Sequence, residues 1–473
     1  MGQMKKRSKM KSKLIIAFLL ITKMLFSQEN SLSVLSLEEY LGFVKSFHPI
    51  VRQVNLVVDE SEAKLMKARG AFDPKLEVDY ATKEFKGSEY YDKLNATFKI
   101  PTWYGIELKG NYEDNSGAYL NPESFTPDDG LYSVGVSVSL AQNLWINKRM
   151  ATLKQAKLFE EQALQDQQLM VNQILYDATL VYFDWLKAYN EKLVFEDFYQ
   201  NAVFRFKGVK RNFETGENPA IDTLEAGITV QDRALNLEKS KLAFTKATFD
   251  LSNFLWLSDD LPIEVKEDIT PDILTPEKID MALNLSELIA DEELIDNHPK
   301  IRSLNYKYES LKVDKNLKVN KLFPIVNVDY NFLSETYDQI NSFNENNYKA
   351  GFYVSFPLFI RKERGDLKLA KLKLQSAELD IMNTEVTLKN KIQMIQKEIE
   401  SYAIQDNITQ NMILDYETLF RAEERKFGIG ESSLFLVNSR ESKLIDAKLK
   451  GIAILNQYYT SKAKLYNALG SSI

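Results

Sequence analysis

The 473 residues carry 60 Lys and Arg against 67 Asp and Glu, a formal charge of -7, and they include no cysteine and two histidines. A chain without cysteine has no disulfides, no thiolate metal site and no thiol for lipid attachment. Its acidic balance argues against nucleic acid as a partner, because phosphates are met by clustered Lys and Arg.

In chain order, residues 1–27 read as a secretory signal peptide. Seven Lys and Arg stand there without an acid, around the apolar run LIIAFLLI from Leu14 to Ile21, and cleavage is expected near Ser27. Eight apolar residues are too few to span a bilayer. Subtracting the seven positive charges of the leader takes the formal charge from -7 to about -14. No other apolar run approaches 18 residues. Any membrane crossing by the mature chain therefore falls to strands, since lipid admits only helices and closed barrels.

Beyond the leader the chain repeats itself. HPIVRQVNLVVDE begins at His48 and HPKIRSLNYKYES at His298. His48–Tyr80 aligns with His298–Tyr330 at an offset of 250, without a gap, and eight of 33 pairs are identical. They are His48/His298, Pro49/Pro299, Arg52/Arg302, Asn55/Asn305, Pro74/Pro324, Val78/Val328, Asp79/Asp329 and Tyr80/Tyr330. Further on, RNFETGE (Arg211–Glu217) matches RKFGIGE (Arg425–Glu431) at an offset of 214, so the first copy holds 36 more residues between these landmarks. Proline fits the first turn of a helix and pushes the residue before it off helical geometry. Both histidines thus read as helix-boundary residues that mark a duplication, and two of them cannot make up a usual zinc set.

Each copy opens on a helical stretch, Leu35 to about Ala71 and Asp291 to about Leu322, ended by a proline and alternating strands. LEVDY (Leu76–Tyr80) and VNVDYNF (Val326–Phe332) have period two. In YSVGVSVSL, Val134, Val136, Val138 and Leu140 face one way and Ser133, Gly135, Ser137 and Ser139 the other; Phe352, Val354, Phe356 and Leu358 continue the style. Aromatic residues such as Trp103, Tyr104, Tyr112, Tyr119 and Trp145 stand at strand ends. The pattern suits a barrel with lipid outside and water inside, and equally a half-buried soluble sheet. Strands are predicted at about 75–145 and about 325–360. The first region is enlarged and includes a loop at Asn115–Gly130, so it holds either an additional hairpin or a long external loop. Asp128, Asp129 and Gly130 read as a turn.

From about Asn147 to Phe213, and again from Arg361 to Phe427, no proline interrupts some 65 residues. At about 1.5 Å per residue each helix would reach roughly 100 Å. Val171, Ile174, Ala178, Val181 and Trp185 form a seam of coiled-coil spacing. Leu388, Ile392, Ile395, Ile399 and Tyr402 form another, which resumes after an eleven-residue step at Ile413, Tyr416 and Phe420. Mixed seven- and eleven-residue steps predict nearly straight helices. Return helices follow Gly216 and Gly430, Ile221 to about Leu257 and Leu434 to about Leu469. The division is a first repeat at 28–257 with its hairpin at about 147–257, a linker or equatorial segment at 258–285, and a second repeat at 286–473 with its hairpin at about 361–469. One chain offers too few strands to close a barrel, and open edges are forbidden in lipid. The membrane reading therefore demands several protomers around one barrel.

The leader, the tandem copies of helix, strands, long helix and return helix, and the tip pattern R-x-F-x-x-G-E resemble the TolC-like outer-membrane efflux family over essentially the whole mature chain. The resemblance implies a mainly α fold with a transmembrane β part: a trimeric outer-membrane β-barrel continued into the periplasm by an α-helical coiled-coil barrel. It implies a passive export duct of a tripartite efflux or type I secretion system in the cell outer membrane of a Gram-negative bacterium. The partners would be a periplasmic adaptor (membrane fusion protein) and an inner-membrane pump. Gly216, Glu217, Gly428, Gly430 and Glu431 are the corresponding adaptor-docking tips. Family members place acids six and nine residues after the tip glycine, where they line the periplasmic entrance. The first copy has Asp222 and Glu225 there, and the second has Leu436 and Ser439. Asp222 and Glu225 also read as first-turn acids favoured by the helix dipole.

Motifs of chemistry are missing from the sequence. It holds no G-x-x-x-x-G-K loop and no cysteine nucleophile, and Gly428–Glu431 follows a helix rather than a strand. Neither catalysis nor a cofactor is expected. An alternative reading is a periplasmic coiled-coil adaptor or scaffold whose strands form a soluble β-domain without a membrane barrel. A third keeps the barrel as an outlet for proteins or peptides.

Overall fold

The structure, a computed structural model, describes residues 34–470 except 218, 267, 286–294 and 339–342. The expected signal peptide at 1–27 and the expected helix start at Asp291 lie outside the described residues.

A two-residue strand, β1 (Val34–Leu35), leads into α1 (Leu37–Phe47) and α2 (Pro49–Arg69). Ser36 caps α1 by accepting the Glu39 N–H at 3.2 Å. The helical stretch expected from Leu35 to Ala71 is thus two helices, broken at His48. The chain then builds β2 (Lys75–Phe85), β3 (Ser88–Pro101), β4 (Ile106–Ser116) and β5 (Leu131–Ser139). After these come α3 (Lys148–Glu214), α4 (Ala220–Ser252), a two-residue β6 (Thr270–Pro271) and α5 (Pro276–Ala282). The second half supplies α6 (Pro299–Asn320), β7 (Ile325–Ser334), β8 (Tyr348–Ser355), α7 (Arg361–Gly428) and α8 (Leu434–Leu469). Asn147 caps the 67-residue α3, its Oδ1 accepting the Met150 N–H at 2.8 Å.

His48 and His298 have nearly the same backbone, φ -63° and ψ 129° against φ -61° and ψ 129°. This is the extended geometry that a following proline imposes. Their side chains differ. His48 stacks on Phe254 with ring centroids 5.4 Å apart. His298 caps α6, its Nδ1 accepting the Lys300 N–H at 3.1 Å while Nε2 donates to the Ala468 carbonyl at 3.1 Å.

The described residues fall into two compact units, each drawing on both halves of the sequence. The first holds residues up to His48, Asp177–Ala282 and Ile399–Ala463. Its core packs aromatic rings, Tyr40 tilted on Tyr182, Tyr182 edge-on to Trp185, and Trp185 stacked on Phe244, with centroids 5.7–6.1 Å apart. Such rings combine a large buried area with favourable ring geometry. Phe198, Phe420, Val437, Leu444 and Ile445 form a second cluster. The segment at 258–285 is structured rather than a bare linker. Its β6 pairs parallel with β1. Tyr182 donates its hydroxyl to the Leu35 carbonyl at 2.7 Å and accepts the Asp272 N–H at 3.3 Å. Lys462 of α8 holds Asp280 of α5 at 2.7 and 2.8 Å. The α7 seam does not skip eleven residues either. It continues through Thr409, which is buried and donates its hydroxyl to the Gln405 carbonyl at 2.7 Å.

The second unit comprises Pro49–Tyr176, Leu283–Glu398 and the chain from Lys464 on. It carries one antiparallel six-stranded sheet in the order β2-β3-β4-β5-β7-β8. The enlarged region of the first copy holds an additional hairpin of β3 and β4 and also a long loop between β4 and β5. The Gly130 N–H donates to the Pro127 carbonyl at 2.9 Å, which closes a turn through Asp128 and Asp129.

Candidate functional site

The two faces of the sheet differ as period two dictates. On one, Val134, Val136 and Val138 of β5 stand opposite Phe332, Tyr330 and Val328 of β7. Leu76, Phe98 and Phe352 extend this apolar face and are exposed. An exposed apolar patch of this extent marks a surface made for lipid or protein. The opposite face is polar, and its side chains join across strands. Thr97 donates to Asn111 Oδ1 at 2.7 Å, Ser139 to Asn327 Oδ1 at 2.9 Å, and Lys109 pairs with Asp329 at 3.0 Å. Lys99 pairs with Glu77. Both outer strands, β2 and β8, have a partner on one side alone within the chain.

The reversals between α3 and α4 and between α7 and α8 share one construction. Gly216 and Gly430 have φ of 84° and 78°, in the left-handed region that glycine enters without cost. Their N–H groups donate to Phe213 and Phe427 carbonyls, both at 3.0 Å. The next N–H groups, of Glu217 and Glu431, donate to Asn212 and Lys426 carbonyls at 2.8 and 2.9 Å. This double closure is the Schellman arrangement, which satisfies helix-end carbonyls. Gly428 is the last residue of α7 and has no positive φ, so nothing in the turn requires glycine there.

Asp222 lies in the first turn of α4. Glu225 accepts the Asn438 side-chain N–H from α8 at 3.0 Å, and Asn438 in turn accepts from Arg205 at 3.4 Å. That contact ties Glu225 to an ion cluster that reading the sequence missed. Arg205 of α3 meets Glu441 of α8 at 2.8 Å and Glu424 of α7 at 3.2 Å. Arg233 of α4 reaches Glu441 at 3.2 Å, Asp232 at 2.8 Å and the Ser442 hydroxyl at 3.1 Å. Glu441 has no exposed surface. The signal was available in spacing: Leu434, Val437, Glu441 and Leu444 follow the 3-4-3 rhythm of a buried seam, so a carboxylate at the third position demands cationic partners. Leu436 and Ser439, which replace the acids in the second copy, are exposed.

Among the described residues no group of three or more His, Asp or Glu could hold a metal ion. No described helix is long and apolar enough to cross a membrane.

The family model for "Outer membrane efflux protein" matches residues 292–471. The match lies within the second copy of the repeat, and the chain resembles that family over this segment. No curated protein matches the chain. Solved structures do. VceC, an outer membrane protein from Vibrio cholerae, is 13% identical, with a TM-score of 0.65 over 92% of this chain and 96% of that one. The CmeC outer membrane channel of Campylobacter jejuni is 14% identical, with a TM-score of 0.63 over 92% and 85%. The MtrE outer membrane channel of Neisseria gonorrhoeae is 12% identical, with a TM-score of 0.61 over 92% and 89%. At such identity the shared property is the fold, which extends over 92% of this chain.

Proposed function

We propose that this efflux-family protein is the outer-membrane channel of a tripartite efflux or type I secretion system. In this reading it is a passive duct from the periplasm to the exterior that works as a homotrimer. The observation that carries the reading is the sheet: one apolar exposed face, one polar face, and two unpaired edges in a single chain. Open edges cannot persist in lipid, so copies must share a barrel. The division into repeats at 28–257 and 286–473, joined by 258–285, belongs to the same reading. So does the assignment of Gly216, Glu217, Gly428, Gly430 and Glu431 as adaptor-docking tips, beyond which an inner-membrane pump supplies the energy. Asp222 lines the periplasmic entrance. Glu225 contributes there through its link to Asn438.

The test is the mass of the detergent-extracted assembly together with conductance in planar bilayers. A trimer from the outer-membrane fraction that conducts supports the duct. A soluble periplasmic monomer without conductance overturns it in favour of a coiled-coil scaffold.

A further inference from the structure

A groove of about 610 Å³ runs between the end of α2 and the start of α3 and reaches Ser310 of α6. Its volume is that of a small-molecule site. Ala68, Ala71, Ala156 and Phe159 make its lining apolar, Lys64, Lys67, Lys148 and Arg149 surround them, and no lining residue is an acid.

The fold does not use up these cations. Lys64 pairs with Glu60 at 2.7 Å and lies over the Phe159 ring. Arg149 donates Nη1 to Glu107 of β4 at 2.7 Å, and its buried Nε finds no acceptor among the described residues. Lys67 and Lys148 make no ion pair among the described residues. Lys148 and Arg149 also open α3, whose first turn has no acid. The positive end of a helix dipole disfavours cations there, and only Arg149 has a carboxylate to answer it.

The duplication supplies a comparison. At offsets of 250 and 214 the second copy has Asp314 for Lys64, Glu363 for Arg149, Asp366 for Thr152 and Lys373 for Phe159. Its α6 and α7 are joined there by Lys318 and Asp366 at 3.7 Å. The helix–strand junction therefore forms without an apolar groove ringed by cations. Lys148 and Arg149 further line a recess of about 300 Å³ with Glu107, Ser137, Ser139 and Asn327, residues of the polar face of the sheet. In a barrel that face meets the water-filled lumen, so the groove opens on the lumen where strands pass into helices.

We propose that the groove is a transit subsite for organic anions with an apolar body. The body lies on the alanines and Phe159, and the carboxylate or sulfate is met by Lys67 and Lys148. An amphipathic cation of the same shape meets only like charges, which suppress wrong ligands. This inference rests on the duct proposed above.

Decanoate, decyltrimethylammonium and acetate, added to the channel in planar bilayers, test it. Decanoate should block the current at a concentration several-fold below the other two. The double variant K67E and K148E should remove that preference. Thr152→Trp, which fills the groove from an exposed position, should weaken the block, and both variants should still conduct without a probe. Equal block by the three probes, or decanoate block unchanged in either variant, overturns the subsite and leaves the duct standing. A phospholipid that co-purifies with the wild type and not with the double variant makes the groove a lipid seat. Loss of the oligomer in Thr152→Trp makes it an interface between copies. Either result overturns the cargo subsite. A wild type that does not conduct overturns the duct and the subsite with it.

Discussion

Arg233 grips one oxygen of Glu441 through both Nε and Nη2, at 3.3 and 3.2 Å, while Arg205 holds the other oxygen at 2.8 Å. One fully buried carboxylate thereby links α3, α4 and α8, and Arg205 adds α7 through Glu424. Removing Glu441 takes the one buried carboxylate from two nearly buried guanidinium groups and leaves them the more exposed Glu424 and Asp232; breaking a buried pair from one side costs up to about 3–5 kcal/mol. Glu441→Ala should lower the thermal midpoint sharply. The triple variant Glu441→Leu, Arg205→Met, Arg233→Met should recover most of the loss, because an apolar replacement leaves no buried charge, and Glu424 and Asp232 keep their hydration. Calorimetry on the three proteins checks this.

His298 gives stability a pH dependence. Burial, chiefly, pushes its pKa below the ordinary histidine value, with Lys391 and Lys300 adding repulsion against the partial opposition of the Ala468 carbonyl. Protonation would also abolish the cap, since Nδ1 could no longer accept from Lys300. The folded state thus binds the proton less readily than the unfolded one. Stability is complete above the unfolded value of about 6.5 and falls as the pH drops below it. His298→Asn, which keeps a capping acceptor, should flatten the loss between pH 7 and pH 5. Denaturation midpoints measured across that window decide the matter.

The tip glycines should not behave alike. Gly216→Pro and Gly430→Pro are incompatible with positive φ, as proline is fixed near -65°. Both should block export and adaptor capture while leaving insertion into the outer membrane intact. Gly428→Ala should leave the fold intact or stabilise it slightly, by up to about 1 kcal/mol, because alanine favours a helical position, so any loss of export there reports on docking alone. Export rates, with outer-membrane levels as the control, check the three substitutions.

The two faces of β5 predict opposite tolerance of charge. Val136→Lys on the apolar face should cost up to about 2–4 kcal/mol if it lies near the bilayer midplane and reduce assembled protein in the outer membrane. Ser137→Lys, one residue away on the polar face beside Asp329, should assemble normally. Quantifying folded protein by heat-modifiable gel mobility separates the two.

Periodicity, proline placement and the internal repeat were enough to locate the long helices, the strand regions and the reversals. These features follow from local chemistry: a 67-residue stretch without proline propagates as a helix, and a glycine just past its end supplies the left-handed turn. The two matched histidines already declared a duplication, and the structure adds that they hold the same backbone angles. Other features needed the third dimension. Glu441, Arg205 and Arg233 stand far apart in sequence, and only packing reveals that a seam carboxylate meets two cations from other helices. The enlarged first strand region read equally as a hairpin or a loop, because strand pairing depends on which segments meet and not on their own period. The segment at 258–285 likewise read as either a linker or an equatorial segment, and packing alone brings Tyr182, Tyr459 and Lys462 onto its backbone and Asp280. Local sequence sets what each segment can be, because dihedral preference and side-chain period act over a few residues. Which segments touch is decided by tertiary structure, since burial and charge pairing act between residues hundreds of positions apart.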